Sequence, residues 1–129
     1  MPALAHFKGN PPASRNTIEQ VQEELGFRLP GGFVDFLLTS DGAEGFVGRS
    51  YLVIWRIEQL IAMNAAYHVA EFAPGLLLFG SNGGDEAFGF DTRSEVYEII
   101  TVPFVGIDLR IARTVAPDFD AFLAVLATS

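Results

Sequence analysis

Three short apolar runs separated by turn-forming residues are the feature that most limits how this chain can fold. Residues 76–79, 87–90 and 96–102 are rich in leucine, phenylalanine, isoleucine and valine, as buried strands are. A glycine-rich segment, residues 80–85, separates the first two and is called the glycine loop below; a turn at residues 91–94 separates the last two. Connections this short cannot hold the crossover that parallel neighbours need, so the runs predict an antiparallel sheet.

Helical patterns lie before and after these runs. Residues 17–25 place Ile18, Val21 and Leu25 on one face of a helix. Gly26 follows where a left-handed residue would end that helix. Further helices are predicted at residues 30–38, 57–66 and 116–126.

Two more strands complete the predicted fold. They lie at residues 51–55 and 108–112, the second at an edge of the sheet. The order of elements predicts a single α+β domain, in which an antiparallel-dominated sheet has helices packed against it. The side chains expected in its core are Phe33, Phe36, Leu78, Phe119, Phe122 and Leu123.

The first residues are expected to lie outside the domain. Residues 1–13 predict a loose arm, because the sequence Gly9-Asn10-Pro11-Pro12 suits neither a helix nor the interior of a strand. We therefore assign residues 1–15 to an N-terminal arm and residues 16–129 to the α+β domain.

Composition excludes several classes of protein. Half of the 129 residues are hydrophobic and twelve are phenylalanine, which indicates a packed core and not a disordered chain. The chain has no cysteine, so disulfides, thiolate metal sites and a cysteine nucleophile are excluded. No apolar run approaches the ~18 residues of a membrane span, and no signal peptide is recognisable at the start. We expect a cytoplasmic location.

The charge predicts the kind of partner. Sixteen acidic residues against eight basic ones give a formal net charge of −8. A field of this sign repels phosphate backbones, so direct binding to nucleic acid is not expected, whereas a basic protein would be attracted. The alternative is that the acidic residues serve only solubility.

No set of residues predicts catalysis. His6 and His68 are far apart, and neither has a second ligand at a spacing typical of metal sites. The chain has no Gly-x-Ser-x-Gly elbow, and the glycine loop lacks the lysine of a phosphate-binding P-loop. Asp85 and Glu86 lie at the end of that loop, but a glycosidase would need two carboxyl groups across a sugar cleft. We expect a non-enzymatic protein with no metal and no cofactor.

Motifs along nearly the whole chain resemble one protein family. They are Ile18-Glu19, Leu25-Gly26, Leu29-Pro30, Phe33, Phe36-Leu37, Asp41-Gly42, Pro74-Gly75, Leu78-Phe79-Gly80, Asn82-Gly83-Gly84-Asp85, Phe90-Asp91, Ile111-Ala112 and residues 116–123. Their order and spacing over residues 16–126 resemble the SUKH superfamily, the Smi/Knr-type domain. The resemblance implies an α+β domain without known enzymatic activity. Many bacterial members look like immunity proteins that neutralise toxins, often nucleases, and fungal members are similar to interaction hubs that regulate cell-wall synthesis.

The resemblance also implies where a partner would bind. It suggests a cleft lined by the turn at Asp41, the glycine loop and the turn at Asp91. The predicted partner-binding residues are Asp41, Glu44, Tyr51, Trp55, Asp85, Glu86 and Asp91. Alternatives remain for three of them, since Asp41 and Asp91 could simply cap turns and Trp55 could belong to the core.

Three functions are compatible with these observations. The first is an immunity protein whose acidic surface captures a basic toxin domain. The second is an intracellular interaction or regulatory module without a toxin partner. The third is a small-molecule binder that uses a pocket at the glycine loop.

Overall fold

The computed structural model describes residues 7–128 as one sheet with helices packed on it. The strands are β1 (Phe7–Gly9), β2 (Ala43–Val47), β3 (Ser50–Ile54), β4 (Leu76–Ser81), β5 (Glu86–Asp91), β6 (Glu98–Pro103) and β7 (Arg113–Ala116). The helices are α1 (Arg15–Leu25), α2 (Gly31–Thr39), α3 (Gln59–Ala66), α4 (Val69–Phe72) and α5 (Phe119–Ala127), and a 3-10 turn covers Leu109–Ile111.

The seven strands form one sheet in the order of the chain. Each strand pairs antiparallel with the strands before and after it. The predicted α+β fold with an antiparallel sheet is therefore confirmed. The narrowest junction is between β3 and β4, where only Val53 and Ile54 pair, with Ser81 and Gly80. Glycine is required there, because a Cβ on Gly80 would lie 2.0 Å from the carbonyl oxygen of Val53.

Phenylalanine rings form the core between the sheet and helices α2 and α5. Phe33 of α2 contacts Phe79 and Phe90 of the sheet and Phe119 of α5, with ring centroids 5.2–5.5 Å apart. Phe122 adds a contact to Phe79 at 5.6 Å. All five side chains are at most 2% exposed. Burial of rings of this size dominates the energetics of a core, so this cluster anchors both helices to the sheet.

A side chain takes the place of a missing strand beside β4. Because the chain turns away from β4 after Trp55, whose N–H donates to the Phe79 carbonyl oxygen at 3.0 Å, the backbone of Leu78 has no strand partner on that side. The amide group of Asn64 in α3 accepts from the Leu78 N–H at 2.8 Å and donates to the Leu78 carbonyl oxygen at 2.9 Å. The same nitrogen also bonds the Leu60 carbonyl oxygen at 2.7 Å. These bonds explain why a polar residue interrupts the apolar face of α3.

The start of the chain differs from the sequence prediction. Phe7–Gly9 forms β1 and pairs with β2, so this part of the expected loose arm is an edge strand. Asn10 then bonds the side chain of Ser40 and the carbonyl oxygen of Asp41, at 2.8 and 2.9 Å. A short edge strand tolerates a glycine at its end, which is why the composition misled the prediction. Residues 1–6 lie outside the described part of the chain.

One strand was not predicted, and two other predictions are corrected. The strand Ala43–Val47 was not predicted, because glycines at positions 42, 45 and 48 are typical of turns. The edge strand is Arg113–Ala116, whereas most of the predicted segment, residues 108–112, lies in the 3-10 turn. Phe36 is only partly buried, on the outer side of Phe119.

Candidate functional site

The hairpin of β2 and β3 presents Glu44 and Tyr51 side by side. Residues 43–47 alternate between buried and exposed, which leaves Glu44 exposed between Ala43 and Gly45. The Tyr51 hydroxyl donates a hydrogen bond of 2.7 Å to Glu44 Oε2. This hydrogen bond, followed by desolvation and the negative charge of Glu44, raises the pKa of Tyr51 above its ordinary value. The hydrogen bond holds the phenol in one orientation on the surface.

Phe46 is a neighbour of this pair that the sequence analysis missed. It lies opposite Tyr51 in the hairpin, and the two rings meet edge to face with centroids 5.1 Å apart. Its side chain is 53% exposed. A large exposed ring beside a tyrosine is typical of protein-binding surfaces. The signal that could have found it was the alternation of residues 43–47, which the three glycines obscured.

The glycine loop packs directly on Tyr51. Gly83 has a left-handed φ of 83°, and a Cβ at that position would lie 2.6 Å from the tyrosine ring. Asn82 shapes the loop, since its side-chain oxygen accepts from the N–H groups of Gly84 and Glu86 at 2.9 and 3.2 Å. The loop is therefore a tight turn held by side-chain bonds, and its glycines allow the close approach to Tyr51.

The two carboxylates at the end of the glycine loop, Asp85 and Glu86, have different surroundings. Asp85 is exposed, and its carboxylate has no hydrogen bond or ion pair with any residue between 7 and 128. Its backbone is fixed, because its carbonyl oxygen accepts from Phe104 N–H at 2.9 Å. Glu86 is partly buried and lies 3.1 Å from the Thr101 hydroxyl. Glu86 also shares a groove with Tyr51 and Arg113.

Three of the predicted site residues, Glu44, Tyr51 and Glu86, therefore come together, and Asp85 precedes Glu86 at the end of the loop that packs on Tyr51. We call the region formed by Glu44, Phe46, Tyr51, Asp85 and Glu86 the hairpin–loop surface. Two basic residues lie near this surface. Lys8 lies opposite Glu44 in the β1–β2 register and Arg113 lines the groove of Glu86, yet neither forms an ion pair within residues 7–128.

The other three predicted residues do not join this surface. The Asp41 carboxylate accepts from the Ile57 N–H at 2.8 Å, so it holds a turn. Trp55 is 7% exposed, and its ring faces Phe104 in the core. Asp91 is at the far end of β5, about 17 Å from Glu86 by strand geometry. The single cleft expected from Asp41 to Asp91 is thus corrected to a smaller surface.

Asp91 is occupied by a neighbouring arginine. Arg93 donates from Nε and Nη2 to the two carboxylate oxygens, each at 2.9 Å. These hydrogen bonds, together with the backbone N–H of Arg93, hold the pKa of Asp91 below its ordinary value. A carboxylate bound in this way shapes its own turn and is not free to receive a partner's cation.

Comparison with known proteins identifies the family. The sequence model of the SMI1 / KNR4 family (SUKH-1) matches residues 12–125. The chain belongs to this family. A curated protein of Bacillus subtilis (strain 168), named "Uncharacterized protein YnaB", is 35% identical to this SUKH-1 domain over 78 residues. That match covers 60% of the chain and 49% of the relative, so the chain spans about half of the relative's length.

The SUKH-1 domain has no clustered metal ligands in its described part. Among residues 7–128, no three histidine or acidic side chains are placed to share a metal ion. His68 lies at the start of α4 near Glu71, while His6 lies outside the described residues.

No helix in the same part of the chain is long and apolar enough to cross a membrane. The absence of a metal or cofactor from the functional protein stays a prediction.

Proposed function

We propose that this SUKH-1 domain is a non-enzymatic, cytoplasmic immunity protein that binds and neutralises a basic toxin domain, most simply a nuclease. The observation that carries the proposal is the hairpin–loop surface. It places the exposed ring of Phe46 and the partly buried ring of Tyr51 next to the Glu44 carboxylate, with Glu86 in the adjoining groove and Asp85 at the end of the glycine loop. Aromatic side chains are enriched at the energetic centres of interfaces, and polar groups surround them at the rim.

The charge of this surface fits a nuclease in particular. A nuclease must attract phosphates, so the surface around its active site is basic. A protein with a net charge of −8 is attracted to such a surface over long range. Asp85 has a carboxylate without a partner in residues 7–128, so it can bind a cation without first breaking an ion pair. Binding there would cover the toxin's site without any chemistry by the immunity protein.

The test uses the product of a toxin gene adjacent to this one. We expect the two proteins to form a complex in isothermal titration and the SUKH-1 domain to restore growth of cells that express the toxin. Phe46→Ala should weaken binding by about tenfold or more, as truncation of an interface anchor does. The double variant Asp85→Ala/Glu86→Ala should also weaken it.

A matched control distinguishes the effect of charge at the hairpin–loop surface from the effect of the net charge of the protein. Glu95→Ala/Glu98→Ala removes the same number of charges at the opposite end of strands β5 and β6, where both side chains are exposed. It should leave affinity nearly unchanged. Equal losses of affinity in the two double variants would show that the hairpin–loop surface is not the binding site. If no neighbouring product binds, the protein is instead an interaction or regulatory module without a toxin partner.

A further inference from the structure

A second surface lies at the other end of β4 from the glycine loop. A groove of ≈ 720 Å³ runs between the end of α1, helices α3 and α4, and the turn at Gly75. It exists because the chain turns away from β4 after Trp55, so that helix α3 and not a strand borders this part of β4. Leu76 in the groove is about 17 Å along β4 from Ser81, where the glycine loop begins.

The floor of the groove is apolar. Leu25, Phe27 and Ile61 line it and are only partly buried, and Val69 and Leu76 close it from below. Apolar surface that remains open after folding favours a ligand that can cover it. The volume is within the range of ligand-binding clefts, and the open shape suits a chain segment.

The rim of the groove is acidic. Glu24 at the end of α1 and Glu71 on α4 line it, and neither lysine nor arginine is among the residues described as lining it. The Glu24 carboxylate makes no hydrogen bond or ion pair with residues 7–128, and the Glu71 carboxylate has only the His68 ring as a partner there, at 3.9 Å. Arg93 lies against Gly75 at one end, but its guanidinium is occupied by Asp91. A ligand with positively charged groups would therefore complement the charge of this rim.

The backbone at the groove is also strained in one place. His68, which lines the groove between α3 and α4, has φ 53° and ψ 40°. A left-handed conformation is unusual for a residue other than glycine, and such strain is often found at binding sites. It sets the angle between the two helices that form one wall.

We propose that this groove binds an amphipathic segment of a partner protein, whose apolar side chains cover Leu25, Ile61 and Leu76 while lysine or arginine side chains pair with Glu24 and Glu71. The proposal concerns a surface separate from the hairpin–loop surface, and either surface can bind a partner without the other. An amphipathic helix laid in an apolar groove is a common mode of recognition.

The probe is a short synthetic peptide in which leucine and lysine are spaced for an amphipathic helix, with a second peptide carrying glutamate in place of lysine. We expect the lysine peptide to shift the amide signals of Leu25, Ala65, Val69 and Leu76 in ¹H–¹⁵N spectra. The glutamate peptide should leave them unmoved. Shifts confined to the glycine loop, equal shifts with both peptides, or no shift with the lysine peptide at millimolar concentration would each overturn the proposal.

Two variants with matched controls locate the contact. Ala65→Trp fills the groove and should abolish the shifts, whereas Ala66→Trp, on an exposed neighbour that does not line the groove, should preserve them. Glu24→Gln/Glu71→Gln should weaken the lysine peptide by about three- to tenfold, the scale expected for two rim charges. Glu95→Gln/Glu98→Gln should not. Thermal unfolding of each variant confirms that it is folded, and equal behaviour within either pair contradicts the proposal.

Discussion

Single side chains complete the hydrogen bonding of this small sheet and fix the orientation of groups on its surface. Tyr51 is fixed on the surface by its bond to Glu44, and the glycine loop can pack on its ring because Gly83 has no side chain. Asn64 supplies the hydrogen bonds that a neighbouring strand would otherwise give to Leu78. The Glu44 carboxylate and the Asn64 amide thus have structural roles that could not be predicted from residue type alone.

The hydrogen bond between Tyr51 and Glu44 predicts how the pKa of Tyr51 changes when Glu44 is substituted. A raised folded-state pKa means that the bond contributes stability fully below the ordinary tyrosine pKa, and that this contribution is lost as pH rises through the folded value. Glu44→Gln should therefore lower the pKa of Tyr51 toward its ordinary value, as measured from tyrosine ring carbon shifts against pH. Glu86→Gln, which leaves this bond intact, is the control. An unchanged Tyr51 titration in Glu44→Gln would show that the bond does not form in solution.

Removal of the Asn64 side chain should be costly. Asn64→Ala leaves the N–H and carbonyl groups of Leu78 unpaired, and the side chain of Leu78 is 0% exposed. We expect a loss of about 2–3 kcal/mol in the free energy of unfolding, measured with urea. Asn64→Asp keeps the acceptor for the Leu78 N–H and should differ from Asn64→Ala. A loss below about 0.5 kcal/mol would mean that water replaces the amide without cost.

At the level of elements, the apolar patterns that lie between clear turns were read correctly from the sequence. Helices α1 and α5 and strands β4, β5 and β6 each carry a strong apolar pattern between turn or cap residues, and all are present close to the predicted bounds. Strand β2 was missed because Gly42, Gly45 and Gly48 are turn residues by propensity. Tertiary pairing with β1 and β3 overrides that propensity.

The candidate site was predictable only in part, for a related reason. Glu44, Tyr51, Asp85 and Glu86 were predicted from residue type and family likeness, and the sheet brings Glu44, Tyr51 and Glu86 together, with Asp85 next to Glu86 in the chain. Asp41 and Asp91 carry the same functional group, but their partners are a backbone N–H and an arginine that sequence does not assign. Phe46 could not be recognised while its strand was missed. Long-range pairing, and not local propensity, decides each of these outcomes.

The core contact of helix α5 gives an element-level prediction. Phe122 is fully buried against Phe79 and Phe88, so Phe122→Ala should cost about 3–5 kcal/mol in the free energy of unfolding. Phe46→Ala is the matched control, because the same truncation at a side chain that is 53% exposed should cost less than about 1 kcal/mol. Urea unfolding measures both. Similar losses in the two variants would contradict the described packing.

At the scale of the whole molecule, the net charge of −8 attracts basic partners over long range. The chain belongs to the SMI1 / KNR4 family, and the hairpin–loop surface combines the exposed ring of Phe46 and the partly buried ring of Tyr51 with carboxylates. Because such charge acts mainly on the rate of encounter, the proposed capture of a basic toxin should be fast and sensitive to salt. The groove between α1, α3 and α4 is the second surface at which a partner can bind.

The most direct test of the proposed function is the association rate constant with the adjacent toxin gene's product, measured by stopped flow as salt is raised. From about 0.01 M to about 1 M salt the screening length falls from roughly 30 Å to roughly 3 Å, so the wild-type rate should fall at least about tenfold. Asp85→Ala/Glu86→Ala should associate more slowly at low salt and lose much of this dependence, while Glu95→Ala/Glu98→Ala should lose less. A wild-type rate that does not change with salt, or equal behaviour of the two double variants, would contradict the account.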